Sequence, residues 1–245
     1  MTQNQKPQEQ KLSAATPLSF DAQAIPIHEV CTDQPIVAAH HLHPANLKSR
    51  FFNPPAWQPE ITDENRQVIA AGIIQNRQAA GKITQAAVLI PLLLKADGLS
   101  VLLTQRTDHL HDHAGQISFP GGRMDPGDSS PNDTALRESE EEIGLDRHGV
   151  EVIGHLPQYL TVSGYSVTPV VGLVKPQAEY VLDAFEVADV FEVPLHFLMD
   201  PANHQVRVWE SDQGSRRFYS MPYENRFIWG ATAGMLRNLY HLLKV

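Results

Sequence analysis

Glu138, Glu141 and Glu142 stand close together in the chain, behind a Ser130-Pro131 pair and ahead of Gly144. Serine caps helix N-termini well, proline is tolerated at the first helical position, and glycine ends helices, so the spacing predicts a helix over Asn132–Ile143. At 3.6 residues per turn each residue advances about 100°. Leu136 and Ile143 then point toward a core, and the three carboxylates share the opposite face. Like charges on one helix face repel. A solvated acidic face is the ordinary reading of such a cluster. The sharper reading is a cation site, because oxygen-only ligands select hard ions such as Mg²⁺ or Mn²⁺. Arg137 lies one turn before Glu141, where an i,i+4 pair would hold a carboxylate in place.

The segment before this helix is Phe119-Pro120-Gly121-Gly122-Arg123-Met124-Asp125-Pro126-Gly127-Asp128. Paired glycines let a backbone turn sharply or approach a ligand closely. Feeding an acidic helix, they make a cup of carbonyl and carboxylate oxygens for a divalent metal and, through it, for phosphate. Asp125 and Asp128 read as acids that shape this loop. Between Ser118 and Asp146 there are eight acids and two bases. Other chemistries are weaker. His109, His111 and His113 alternate, as do His41 and His43, but no cysteine is near to complete a zinc site. Neither a Gly-x-Ser-x-Gly elbow nor a P-loop is present. Tyr165 and Trp229 are aromatics that would stack on a base or pack in the core.

The elements that must position these residues follow from patterning. Two apolar runs, Ala86–Leu94 and Leu99–Thr104, flank Ala96-Asp97-Gly98 and predict a β-hairpin. Val150–Leu156, Val167–Val174 and Val187–Val193 read as further strands, the last stopped by Pro194. His204–Glu210 and Arg217–Met221 are placed to pair across Asp212–Gly214. Thr62 and Asp63 start a helix carried by Val68, Ile69, Ile73 and Ile74 and ended by Gly81. Met235, Leu236, Leu239, Leu242 and Leu243 make one stripe of a C-terminal helix. Residues 1–60, with scattered prolines and little periodicity, are expected to be a disordered or irregular extension. Residues 61–80 form a leading helix, and 81–245 the domain itself.

The 245 residues carry 19 Lys+Arg against 28 Asp+Glu, a net charge of −9, which argues against a nucleic-acid binder but not against a nucleotide substrate. The longest apolar run, Ala86–Leu94, falls far short of the roughly 20 residues of a membrane-spanning helix. The N-terminal stretch has no apolar signal region. Cys31 is the single cysteine, so no internal disulfide framework exists, and the cytoplasm is the expected compartment.

From Gly122 to Leu145 the chain resembles the Nudix box: glycine, five residues, glutamate, seven residues, Arg-Glu, an apolar residue, one residue, Glu-Glu, one residue, glycine and an apolar residue. Gly122 opens it, and Arg137-Glu138-Ser139-Glu140-Glu141-Glu142-Ile143-Gly144-Leu145 closes it. Asp128 stands where glutamate is usual, eight residues rather than seven separate it from Arg137, and Ser139 takes the apolar position. The runs Leu102-Leu103-Thr104-Gln105-Arg106 and Gly115-Gln116-Ile117-Ser118-Phe119-Pro120-Gly121-Gly122 are similar to the coenzyme A pyrophosphatase branch, with Thr107 in place of Ser or Ala and His111 in place of Arg. Ser163-Gly164-Tyr165 and Phe185–Leu195 are similar to that branch as well.

The resemblance covers roughly residues 86–245 and implies an α/β/α sandwich with a mixed β-sheet. It implies Mg²⁺- or Mn²⁺-dependent hydrolysis of a nucleoside diphosphate linkage, with coenzyme A or its esters giving 3′,5′-ADP and 4′-phosphopantetheine. Glu138 and Glu142 would be the main metal ligands, Glu141 a shared one and Gly121 a backbone ligand. Arg137 would orient carboxylates, and Glu186 would contact metal-associated water or act as the base. Arg106, His111, Gly115, Gln116, Gly122 and Tyr165 would bind the substrate. The alternatives are hydrolysis of NADH or ADP-ribose, and a catalytically silent nucleotide sensor. A silent domain usually loses one of Glu138, Glu141 or Glu142, and all three stand here. Oligomeric state is not legible.

Overall fold

The computed structural model describes residues 21–70, 83–109, 114–161, 163–211 and 214–245. Its centre is the predicted hairpin, β2 (Thr84–Lys95) and β3 (Gly98–Arg106). The two strands pair only over Leu92–Lys95 and Gly98–Val101. Below that they part. β5 (Gly121–Arg123) takes the free edge of β2, pairing Val88 with Gly121 and Ala86 with Arg123, and β4 (Ile117–Ser118) takes that of β3. The glycine loop is therefore wedged in a fork of the sheet.

β6 (Val150–His155), β7 (Tyr159–Leu160), β8 (Tyr165–Val174) and β9 (Val187–Pro194) complete the eight-stranded sheet. β8 runs parallel to β2 from Thr84–Tyr165 to Leu93–Val174, and the other pairings are antiparallel, so the sheet is mixed as expected. Side chains alternate between faces of a strand. Ala87, Leu89 and Leu93 of β2, with Leu102 and Val170, pack on Ala135 and Ile143 of α3 (Pro131–Ile143). Ala86, Ile90 and Leu92, with Leu103 and Val171, face Leu236, Leu239 and Leu243 of α5 (Gly230–Leu243). Burial on both faces is why β2 reads as an almost unbroken apolar run.

Against the α5 side lies a second, antiparallel sheet in the order β1-β10-β11-β12. It comprises β1 (Ile27–Val30), β10 (Gln205–Ser211), β11 (Gly214–Tyr223) and β12 (Arg226–Trp229). β9 ends in the short helix α4 (Leu195–Leu198). α2 covers Asp63–Ala70, and the expected continuation to Gly81 lies outside the described residues. Residues 21–60, expected to be irregular, instead supply β1 and helix α1 (Pro44–Phe52). Pro44 starts α1 rather than breaking it, with the His43 ring accepting a hydrogen bond from the Ala45 N–H. β1 lies at the edge of its sheet and all four of its residues are exposed, which is why it shows no alternating pattern. No helix among the described residues is long and apolar enough to cross a membrane.

Candidate active site

α3 begins at Ser130, whose side chain accepts from the Asp133 N–H (3.2 Å). It ends at Gly144, which sits in the left-handed region (φ 64°, ψ 29°). The Gly144 N–H donates to the Glu140 carbonyl (2.9 Å) and the Leu145 N–H to that of Ser139 (3.2 Å). The buried stripe of α3 is Ala135, Ser139, Glu142 and Ile143, with Leu136 only partly covered. This rotates the helix from the expected setting. Glu142 faces the sheet beside the core, Glu138 is half-buried, and Glu141 turns out to solvent.

Glu142 is 7% exposed, and its Oε2 accepts the Gly121 N–H (3.1 Å). Burial, and then the charges of Glu138 and Glu186, push its carboxyl up to about 8, against the Gly121 hydrogen bond and the Arg106 charge. Burial also raises Glu138; Arg137 opposes this, while Glu141 and Glu186 add to it. A Cβ at Gly122 would stand 2.6 Å from the Glu138 carboxylate, so the second glycine leaves the space that this carboxylate fills. At Gly121 (φ 149°) a Cβ would meet the Ala87 carbonyl at 2.4 Å, so the first glycine is required by backbone conformation and by the close approach of β2.

Arg137 organises the outer half of the site. Its Nε and Nη2 grip both oxygens of Asp128 (3.0 and 2.9 Å), Nη2 also donates to the Arg123 carbonyl (3.1 Å), and Nη1 pairs with Glu141 (2.9 Å) and Glu138 (3.0 Å). Hydrogen bonds from Arg137, the Asp125 N–H (2.9 Å) and the Thr134 hydroxyl (2.9 Å) hold Asp128 well below the usual carboxylate range, outweighing its burial. Asp128 is thus the anchor of Arg137. The Ser139 departure has an equally local explanation, since the buried hydroxyl donates to the Ala135 carbonyl one turn back (2.6 Å).

Glu186 arrives from the segment before β9. The Asp183 N–H donates to the Glu142 carbonyl (2.9 Å), the Glu186 N–H to the Asp183 carbonyl (3.0 Å), and the Thr107 N–H to the Glu186 carbonyl (3.0 Å). Asp183 had no signal in the sequence, because its part is a backbone bond to a helix far along the chain, and Thr107 stood out only as a departure from the usual Ser or Ala. Arg106 ends β3 on the α3 side; its Nε is buried with no hydrogen-bond partner among the described residues, and its charge bears on Glu142.

The other expected residues are placed differently. Gly115 (φ 66°) and Gln116, with Gln105, Arg226, Phe227 and Trp229, line a cavity of about 340 Å³. Ile117 also lines it and belongs to the α5-side core, so the cavity opens on the face of the sheet away from the carboxylates. The Gln116 carbonyl reaches back to the Arg106 N–H (2.9 Å). Tyr165 heads β8, 40% exposed, its N–H turned onto Thr161 Oγ1 (3.1 Å), and no described contact joins it to the carboxylates. Trp229 packs edge-on against Phe218. His111 and His113 lie outside the described residues.

The donor set suits a hard divalent cation: Glu138, Glu142 and Glu186 gather carboxylate charge against a backbone loop, and the buried Glu142 resists ionising without a counter-charge. Among the described residues no three acids, histidines or thiols converge as a finished cage. Arg137 holds Glu138 and Glu141 to one side, and the Gly121 N–H holds Glu142 to the other.

Residues 83–213 match the NUDIX domain. Over 155 residues the chain is 44% identical to a Yersinia pestis (strain Pestoides F) protein described as "Uncharacterized Nudix hydrolase NudL", covering 63% of this chain and 77% of that one. The protein of the same description from Yersinia pseudotuberculosis serotype O:1b (strain IP 31758) gives the same figures. Among solved structures, a MutT/nudix family protein from Enterococcus faecalis aligns at 17% identity and a TM-score of 0.41, over 81% of this chain and 72% of that one.

Proposed function

This chain belongs to the Nudix hydrolase family, whose members act on nucleoside diphosphate derivatives and generally use divalent metals, and from that premise we propose that it hydrolyses the diphosphate of coenzyme A or its esters to 3′,5′-ADP and 4′-phosphopantetheine. The observation that carries the hydrolase reading is the buried Glu142 carboxylate on the Gly121 N–H, with the charges of Glu138 and Glu186 both bearing on it. In this reading Glu138 and Glu142 hold Mg²⁺ or Mn²⁺, with Glu141 and the Gly121 carbonyl as further oxygen donors. Bound there, the cation offsets the charge of the diphosphate and makes the attacking water more acidic. Glu186 takes the proton from that water. Arg137 keeps the carboxylates apart and in place, and Arg106 offers its guanidinium to the phosphates. Gly122 leaves room for the Glu138 carboxylate.

The choice of coenzyme A is supported by the stretches Leu102–Arg106 and Gly115–Gly122, with His111 supplying a cation to the 3′-phosphate when protonated. Steady-state hydrolysis of coenzyme A, NADH, ADP-ribose and nucleoside triphosphates with Mg²⁺, Mn²⁺ or EDTA tests the reading. Coenzyme A should show the highest kcat/KM, and EDTA should abolish turnover. A higher kcat/KM on NADH or ADP-ribose would move the assignment to those substrates. Tight nucleotide binding without turnover of any compound would make the domain a sensor.

A further inference from the structure

The backbone that delivers Glu186 fixes the residue before it as well. The Phe185 N–H donates to Asp183 Oδ1 (2.9 Å), and its carbonyl accepts the Thr107 hydroxyl (2.8 Å). Asp183 is in turn bonded to the Glu142 carbonyl, so Phe185 is locked between the carboxylate helix and the end of β3. Its side chain does not share that order of burial. The ring is 65% exposed, and among the described residues the one ring it meets is that of His109, with centroids 4.9 Å apart and planes at 59°. The fixed backbone thus holds a large apolar ring bare to solvent, one residue before Glu186.

We infer that Phe185, backed by His109, is the surface on which the base of the nucleotide substrate stacks, and that Thr107 is the residue that positions it. This rests on the nucleoside diphosphate reading above. A base offers a flat π face that gains from stacking on an aromatic ring whatever its hydrogen-bonding edge. A flexible pantetheine arm has no such face. The two aromatics singled out in the sequence are placed elsewhere: Trp229 packs on Phe218 and lines the cavity on the far side of the sheet, and Tyr165, 40% exposed at the head of β8, has no described contact with the carboxylates or with the Glu186 segment. Thr107 is buried, and its hydroxyl does what an alanine there cannot.

Calorimetric titration of the full chain with ADP and with 4′-phosphopantetheine, both in Mg²⁺, separates base from arm. Phe185→Ala should weaken ADP about tenfold and leave 4′-phosphopantetheine unchanged, and Phe185→Tyr should bind ADP as the wild type does. Thr107→Val should weaken ADP in the same sense, and Thr107→Ser, which keeps the hydroxyl, should restore it. Unchanged ADP affinity in Phe185→Ala, or an equal loss for both probes, overturns the shelf. A loss of kcat alone, with ADP affinity intact, also overturns it and leaves Phe185 as a spacer for Glu186. If the wild type turns over no diphosphate and ADP binding still depends on Phe185, the hydrolase reading falls and the shelf stands. Turnover with ADP binding indifferent to Phe185 gives the reverse.

Discussion

Gly121 and Gly122 are adjacent and do different work, and one methyl group separates the two. At Gly122 the added Cβ meets the far end of the flexible Glu138 side chain. Gly122→Ala should therefore melt within about 2 °C of the wild type, since a change that touches only a movable side-chain tip stays within roughly 0.5 kcal/mol, yet lose most of its turnover as Glu138 is displaced. At Gly121 the Cβ meets backbone, at a φ of 149°, so Gly121→Ala should lose roughly 2 kcal/mol or more of stability. Thermal melts beside kcat measurements decide it; equal stability losses for the two would contradict this division.

Glu142 makes a second residue-scale prediction. Its carboxyl is raised from the ordinary 4.5 to about 8, first by burial. The folded protein then holds more protons than the unfolded chain between those values, so this group's stability contribution is full below about 4.5 and is lost as pH rises through about 8. In EDTA, Glu142→Gln should melt with the wild type near pH 4.5 and exceed it at about pH 9, by a few kcal/mol. In Mg²⁺ the same change should lower kcat about a hundredfold. Identical melting curves at pH 9 would contradict the buried charge.

At the scale of elements, α3 is a platform with both ends built for the site. Its N-terminal half carries Arg137 on Asp128, and its C-terminus carries the strap that holds Glu186: Val181 and Asp183 donate to the Ile143 and Glu142 carbonyls (3.1 and 2.9 Å). Gly144 makes that strap fit, because a Cβ there would stand 3.0 Å from Val181 Cβ and 3.1 Å from its nitrogen. Gly144→Ala adds this contact to the left-handed penalty of about 1 kcal/mol. The variant should lose about 1–2 kcal/mol, or roughly 2–8 °C of Tm. It should also lose more activity than that modest loss explains, since Glu186 moves with the strap. Full kcat in a destabilised Gly144→Ala would detach the strap from catalysis.

Across the whole molecule, the segment ahead of the domain is built into its core. Leu47 of α1 is fully buried against the α5 side, and Arg237, 1% exposed on α5, bonds to Gln34 (3.0 Å), Glu60 (2.9 Å) and His204 Nδ1 (3.0 Å). Its guanidinium also lies over the Tyr219 and Tyr240 rings. Burial lowers His204 to about 4, so it stays neutral and its Nε2 donates to the Leu198 carbonyl (2.7 Å). Burial opposes the Glu60 charge, but the hydrogen bonds of His241 and Arg237 outweigh it and bring Glu60 to about 2. A depressed carboxyl stabilises the fold above its unfolded value of 4.5, and that stability is lost as pH falls toward 2. Glu60→Gln should cost about 3 kcal/mol at pH 7 and nothing near pH 2. Chemical denaturation at the two pH values is the check, and a pH-independent difference would show that Glu60 acts through packing alone.

The local features of the site were legible in the chain: Ser130-Pro131 and Gly144 bound the helix, Gly121-Gly122 mark the close approach, and the β2–β3 hairpin follows from an Asp-Gly between apolar runs. These depend on neighbours a few residues apart, where capping, turn chemistry and side-chain period act directly. What depended on contacts between distant segments was not legible. Nothing in the spacing says that Glu142 faces the sheet while Glu141 faces water, because that angle is set by how Ala135 and Ile143 seat on Leu89 and Val170. Nor does it say that Asp128 serves Arg137, that Gly115 and Gln116 line the opposite face from the carboxylates, or that α1 joins the core. Those are decided by which apolar surfaces meet, and a meeting of surfaces has no local code.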